Sequence, residues 1–260
     1  MNRHISLAAL LFAGLLSACG EPAVQEVITA PLPASRIRFL NFGVNAPGVN
    51  FYSDATKMTA ITSATGVEAT TGIVYGGVSV GGSGLYSAID PGQHTLTGKI
   101  AATADKDLTI SSLTTTLDAG KYYSYYMSGF YNSAAKTSDA FVVEDPLADP
   151  TDFGFASVRF VHAISNAAPM TLYAKNTAPG GTETAIGAEV AYKNAGAFTN
   201  VPMGVYDLST RYAGTATNAI TRAAVSFIGG RSYTISARGD ITIVSTTATN
   251  RPFLDNTANR

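Results

Sequence analysis

"RIRFLNFGVNAPGVNFY", residues 36–52, returns further along the chain as "SVRFVHAISNAAPMTLY", residues 157–173. The two align without gaps and share Arg38/Arg159, Phe39/Phe160, Asn45/Asn166, Ala46/Ala167 and Tyr52/Tyr173. Two more blocks follow in the same order. "PGQHTLTGKI" (91–100) is echoed by "PMGVYDLSTRY" (202–212), and "AGKYYSYYMSGF" (119–130) by "GGRSYTISARGD" (229–240). Three collinear echoes mark an internal duplication.

Each copy is written in short β-branched or aromatic runs of alternating polarity, separated by glycine, proline, asparagine and aspartate. No stretch carries an apolar period of 3.6 residues long enough for a core helix. About seven short strands per copy predict an all-β chain of two tandem immunoglobulin-like antiparallel β-sandwich domains. The alternative is one closed barrel made by both halves. The expected boundaries are 36–145 for repeat 1 and 157–246 for repeat 2, the latter ending in a strand near 241–246. Between them lies an acidic, proline-containing linker, 146–156, and a C-terminal tail, 247–260, follows. In the Asn-Ala-Pro and Asn-Ala-Ala-Pro steps asparagine bonds locally and proline fixes φ, which predicts a turn between the first two strands.

Ahead of the repeats, Met1 to Ala18 has a basic start at Arg3, an apolar run from Ile5 to Leu16 and small residues before Cys19. That is the layout of a bacterial export signal. The run falls short of the roughly 20 apolar residues a spanning helix needs. Leu16-Ser17-Ala18-Cys19 resembles a lipobox, which implies cleavage before Cys19, the chain's single cysteine, and lipidation of its thiol. Residues 19–35, with three prolines, read as the tether. Gly20 follows the cysteine, and no aspartate stands there, which by resemblance to Gram-negative lipoproteins points to the outer membrane. The expected location is the cell envelope, with the membrane held through the lipid anchor.

Charged residues are only 13% of the chain, and without residues 1–18 the net charge is −2. Nothing in that balance suits nucleic acid. Tryptophan is absent, while tyrosine occurs 13 times and glycine 25 times, a β-rich composition distinct from that of a disordered chain.

The stretch "VRFVHAISNAAPMTLY", the Pro-Gly-type turn into a Thr-Leu strand and the Ala-Gly-Lys-Tyr-Tyr strand together resemble the domain of unknown function 4397. The resemblance covers both repeats. It implies an extracytoplasmic β architecture in tandem copies and no established activity. Repeat 2 carries the family's histidine step as His162-Ala163, where repeat 1 has Asn41-Phe42.

Several constellations invite a chemical reading. Gly77-Val78-Ser79-Val80-Gly81 fits the G-x-S-x-G pattern of a serine hydrolase. That pattern needs a helix after the serine, and Gly82-Ser83-Gly84 is a poor helix start. "GQHTLTGK" (92–99) departs from a phosphate loop in its spacing and lacks Ser or Thr after Lys99. His94 and His162 are not at metal-ligand spacing, so no zinc site and no cofactor is expected. The carboxylates Glu144, Asp145, Asp149 and Asp152 at the junction of the repeats form a calcium candidate set. In "KYYSYYMSGFY" (121–131), alternation turns Tyr123, Tyr125 and Met127 to the core and Tyr122 and Tyr126 the other way, where repeat 2 has Ser232 and Ser236. Exposed tyrosines suit glycan stacking or protein contact, which makes Tyr122 and Tyr126 the partner-binding candidates. The competing expectation is that the 57–83 excursion covers them. The reading that results is a non-enzymatic envelope lipoprotein binding an envelope protein or glycan. A structural spacer without ligand, and a hydrolase using Ser79, are the alternatives.

Overall fold

The computed structural model describes residues 32–61, 65–79 and 86–260; the expected export signal, Cys19 and most of the expected tether lie outside them. Among the described residues there is no helix, and thus none long and apolar enough to cross a membrane. Repeat 1 contains β1 (Ser35–Asn41), β2 (Val49–Ser53), β3 (Thr56–Lys57), β4 (Ser87–Ile89), β5 (Gly92–Ile100), β6 (Thr109–Leu117), β7 (Tyr122–Asn132) and β8 (Thr137–Glu144). Repeat 2 contains β9 (Phe155–His162), β10 (Met170–Asn176), β11 (Glu183–Val190), β12 (Thr199–Pro202), β13 (Gly204–Tyr212), β14 (Ile220–Phe227), β15 (Ser232–Arg238) and β16 (Phe253–Ala258).

The sheets are β4-β1-β7-β8 and β3-β2-β5-β6 in repeat 1, and β12-β9-β15-β16 and β11-β10-β13-β14 in repeat 2. Adding eight to each strand number of repeat 1 reproduces repeat 2. Each repeat is therefore a complete β-sandwich, not half of a barrel. One pair per sandwich departs from the antiparallel expectation, because β1 runs parallel to β7 and β9 parallel to β15. The intervening strands cross through the opposite sheet, so the first strand can join the seventh in that sense.

Alternation fills the two sandwich cores. Ile37, Phe39, Phe51, Leu96, Tyr125 and Met127 meet in repeat 1, and Val158, Phe160, Leu172, Leu208, Ile235 and Ala237 in repeat 2. A tyrosine at the start of each seventh strand closes the preceding turn. The Tyr123 hydroxyl accepts the Asp118 amide at 3.0 Å, and the Tyr233 hydroxyl accepts the Ile228 amide at 3.1 Å.

The last strand of repeat 2 corrects the expected boundaries. Residues 241–246 form no strand, and the residues assigned to a tail supply β16, which pairs with β15 from Tyr233↔Ala258 to Arg238↔Phe253. Gly239 has φ of 115°, and the Asp240 carboxylate accepts the Thr242 amide and hydroxyl, so the chain leaves the sheet there. Leu254 then brings the chain back into the core, fully buried.

The two sandwiches are not beads on an extended linker. Beyond the two cores lies a third apolar cluster, Leu40, Phe42, Tyr126, Phe141 and Val143 of repeat 1 against Val161 and Ala163 of repeat 2. The second faces of β4-β1-β7-β8 and β12-β9-β15-β16 thus pack on each other and stack four sheets in one body. This explains why β7 is buried without interruption from Tyr123 to Gly129, and β15 from Ser232 to Ala237.

Candidate functional site

Tyr126 stands in the middle of this junction, fully buried, with its hydroxyl 3.2 Å from Ser236 Oγ. Its ring stacks on Phe141 at 4.9 Å between centroids and tilts against Phe42. The tyrosine-for-serine exchange between the repeats is a fit of large against small side chains. The expected partner surface at Tyr126 is corrected accordingly: the second repeat covers it through Val161, Ala163 and Ser236, and Val78 of the 57–83 excursion packs against the same cluster. Tyr122 is half-buried, with Tyr86 against it edge-on at 5.1 Å.

Beside the aromatic cluster lies a buried charge cluster that crosses between repeats. Arg38 donates from Nε to Ser124 Oγ at 2.7 Å and from Nη2 to Asn259 Oδ1 at 2.6 Å. Arg159 donates from Nε to Thr234 Oγ1 at 3.1 Å, from Nη1 to the Glu144 carbonyl at 2.8 Å, and from Nη2 to Asp145 Oδ1. Each repeat's arginine is held by the residue just beyond the other repeat's last strand. Tyr86 lies under Arg38 and Phe198 under Arg159, each ring centroid 4.9 Å from the guanidinium carbon. The symmetry is broken in charge, since Asp145 faces Asn259. Asp145 Oδ2 also accepts from Ser124 and Tyr86, each at 2.6 Å, and lies 3.8 Å from Arg38. Burial lowers the pKa of Arg159 and pushes Tyr86 up to about 12. Arg38 and Arg159 were visible in the sequence as shared residues, but nothing there named their partners.

This pairing also engages the carboxylates of the calcium set. Asp145 is committed to the arginines, Glu144 to Lys121, Asp149 to Arg260, and Asp152 to the amide of Gly154. Each of the four carboxylates has its own partner, and among the described residues no three metal-ligating side chains converge. Ser79 is buried beside β1, where its hydroxyl accepts the Phe39 amide at 2.9 Å. That is a structural bond, unlike the exposed hydroxyl of a nucleophile elbow.

Each sandwich also has a cleft at one open end. In repeat 1 a volume of about 380 Å³ is lined by Ser53, Asp54, Met58, Asp90 and His94. His94 Nδ1 lies 2.8 Å from Asp54 Oδ2 and 3.0 Å from Ser53 Oγ, and its Nε2 lies 2.8 Å from the Asp90 carbonyl. Serine and aspartate share one ring nitrogen, so this is not a nucleophile relay, which needs them on opposite nitrogens. Hydrogen bonds from the Thr95 amide and from His94 lower the Asp54 pKa. The corresponding cleft of repeat 2, also about 380 Å³, is lined by Asn176, Thr182, Thr184, Asn200, Pro202 and Tyr206. Tyr206 stands where repeat 1 has His94.

The profile of the family described as "Domain of unknown function (DUF4397)" matches residues 35–173 and 156–260. The chain belongs to the DUF4397 family. No curated protein matches it by sequence. Among solved structures, it is similar to the Bacillus anthracis TIE protein, with 12% identity over 79% of this chain and a TM-score of 0.23. The chain spans only 34% of that protein's length. The family CBM26 module of Eubacterium rectale Amy13K, solved in complex with maltoheptaose, is 10% identical, with 85% of this chain and 95% of that one covered and a TM-score of 0.23. A candidate cell adhesion protein of Bacteroides ovatus is 10% identical, with 88% and 96% covered and a TM-score of 0.22. Likenesses this distant carry no argument about activity.

The histidine step of the DUF4397 repeat has a structural use that repeat 1 performs with asparagine. His162 Nδ1 accepts the Ile164 amide at 3.2 Å and Nε2 donates to the Ala168 carbonyl at 3.1 Å. In repeat 1, Asn41 Oδ1 accepts the Gly43 amide at 3.2 Å and Nδ2 donates to the Pro47 carbonyl at 3.3 Å. Both side chains clamp the turn between the first two strands of their DUF4397 repeat. An amide donor and a carbonyl acceptor fix His162 as the neutral Nε2–H tautomer, and burial keeps its pKa below the ordinary histidine value.

Proposed function

We propose that this DUF4397 protein is a non-enzymatic bacterial cell-envelope lipoprotein, anchored by lipid on Cys19 in the outer membrane, whose fused sandwiches bind an envelope glycan or protein. The observation that carries the reading is the buried junction. The inner sheets spend both faces on the protein itself, which leaves a rigid body with outward loops and two equivalent end clefts. Those clefts, about 380 Å³ each, set polar side chains around a ring, His94 in one and Tyr206 in the other. Such a wall suits a small polar ligand such as a sugar unit.

The test has two arms. Mass analysis of the native N-terminus reads the anchor, with lipidated Cys19 expected and an unmodified terminus overturning it; Cys19→Ser releases the protein from membranes. For binding, residues 20–260 are titrated against envelope glycans, with Asp54→Ala and Thr184→Ala weakening capture. A spacer role, favoured by the rigidity of the fused body, instead leaves every glycan and cross-linked envelope protein unbound.

A further inference from the structure

The described surface carries one cluster of large apolar side chains that no core uses. Phe153, Met203 and Ile228 are 72%, 61% and 54% exposed, and Phe155 and Val205 on the adjoining strands are 40% exposed. They belong to three segments that meet at one end of repeat 2. The Met203 amide donates to the Gly154 carbonyl at 2.8 Å, and the Gly230 amide to the Phe155 carbonyl at 2.7 Å. Gly230, at φ of 74°, lies so close beneath the Phe153 ring that a Cβ there would stand 2.6 Å from Cδ1. The ring is thus propped outward by the backbone. Asp152 and Arg231 flank the cluster with opposite charges.

The direction of this end follows from the junction. Arg38 and Arg159 share Asp145, Tyr126 meets Ser236, and the Arg238 guanidinium lies over Phe42. β1 and β9 therefore run side by side in the same sense. The start of β9, with Phe153 just ahead of it, lies at the same end of the body as the start of β1. There Leu32 is 71% exposed, and the Gly120 amide donates to the Pro33 carbonyl at 3.1 Å. The chain from Cys19 joins the body through Leu32, and twelve residues of any conformation reach at most about 43 Å.

We propose that Phe153, Met203 and Ile228 are membrane-contacting tips, which insert into the interface of the same bilayer that holds Cys19. The proposal rests on the lipid tether argued above. A tether alone lets the body tumble. Apolar tips at the tethered end add a second attachment, made effective by the high local concentration of lipid. They stand the body upright, with the opposite end, including the loop around Val244, turned away from the bilayer.

The chain has one cysteine and no tryptophan, which allows a clean test. Residues 19–260 with a free Cys19 are coupled to a maleimide lipid in phosphatidylethanolamine–phosphatidylglycerol vesicles. This supplies the tether whether or not the cell does, so failure of the lipidation reading is recognised separately from the native N-terminus. Phe153→Trp places a single indole at the tips, and Val244→Trp, at a site 95% exposed, is the far-end control. The expected result is blue-shifted emission at the tips, quenched by brominated lipid, with unshifted and unquenched emission at the control. Met203→Trp reports independently should Phe153→Trp disturb its contact with Gly230. Silent tips, equal quenching at both ends, or a shift that follows protein density and not bromine, meaning a second copy covers the patch, would each overturn the proposal.

Discussion

Arg38 Nη2 lies 2.6 Å from Oδ1 of Asn259, a residue 221 positions further along the chain. The reciprocal bond joins Arg159 to Asp145, so each repeat closes over the arginine of the other. Two buried guanidinium groups then share one carboxylate. Asp145→Asn removes it and is expected to cost about 3–5 kcal/mol, the usual penalty for an uncompensated buried charge. Because Asn259 occupies the equivalent place, Asn259→Asp in that background restores a carboxylate and recovers most of the loss. Urea denaturation of the wild type, the single variant and the double variant measures this. A double variant no more stable than Asp145→Asn would refute the equivalence.

His162 makes stability depend on pH in a defined direction. Burial lowers its pKa in the folded chain, whereas the unfolded chain titrates near 6.5. Between these values the unfolded state binds the extra proton. The stabilisation is thus complete above about pH 6.5 and declines as pH falls towards the folded value, by no more than about 1.4 kcal/mol per unit. His162→Asn, which copies Asn41, is expected to keep the turn clamp and abolish this dependence. Urea midpoints at about pH 5 and pH 7.5 for both proteins provide the comparison.

Tyr126 and Tyr122 are expected to differ sharply on truncation. Tyr126→Ser empties the junction beside Phe42 and Phe141 and leaves Ser236 without its partner, at about 3–5 kcal/mol. Tyr122→Ser, at a half-buried edge, costs about 1 kcal/mol or less. Similar losses for the two, read from thermal or urea unfolding, would contradict the placement of Tyr126.

Cutting the chain between the repeats exposes their junction. A fragment of residues 32–145 alone uncovers Leu40, Phe42, Tyr126 and Phe141, a contiguous apolar face. It is expected to self-associate or precipitate at concentrations where residues 20–260 stay monodisperse in sedimentation. Mixing it with residues 146–260 should restore a soluble 1:1 complex.

The duplicated motifs and the period of two were enough to place most of the strands, though not β3, β12 or the greater part of β11, and to point Tyr123, Tyr125 and Met127 inward, where they lie. The strand assigned near 241–246 failed because local pattern alone does not choose between that run and "FLDNTA". The turn at Gly239 and Asp240 and the burial of Leu254 made the choice. The carboxylates of the junction likewise looked like one cluster because they are near in sequence. Separate partners engage them one by one, cations for Glu144, Asp145 and Asp149 and the Gly154 amide for Asp152.

By itself, the sequence determined that this chain is two copies of one β-sandwich and which face of β7 fills its own core, because side-chain direction in a strand follows residue parity. Only the tertiary structure decided what lies against the other face. Parity turns Tyr126 and Ser236 out of their own sandwiches, but it carries no information on whether water, a partner or the sister repeat receives them. Packing of complementary large and small side chains, over separations of more than a hundred residues, brought them together.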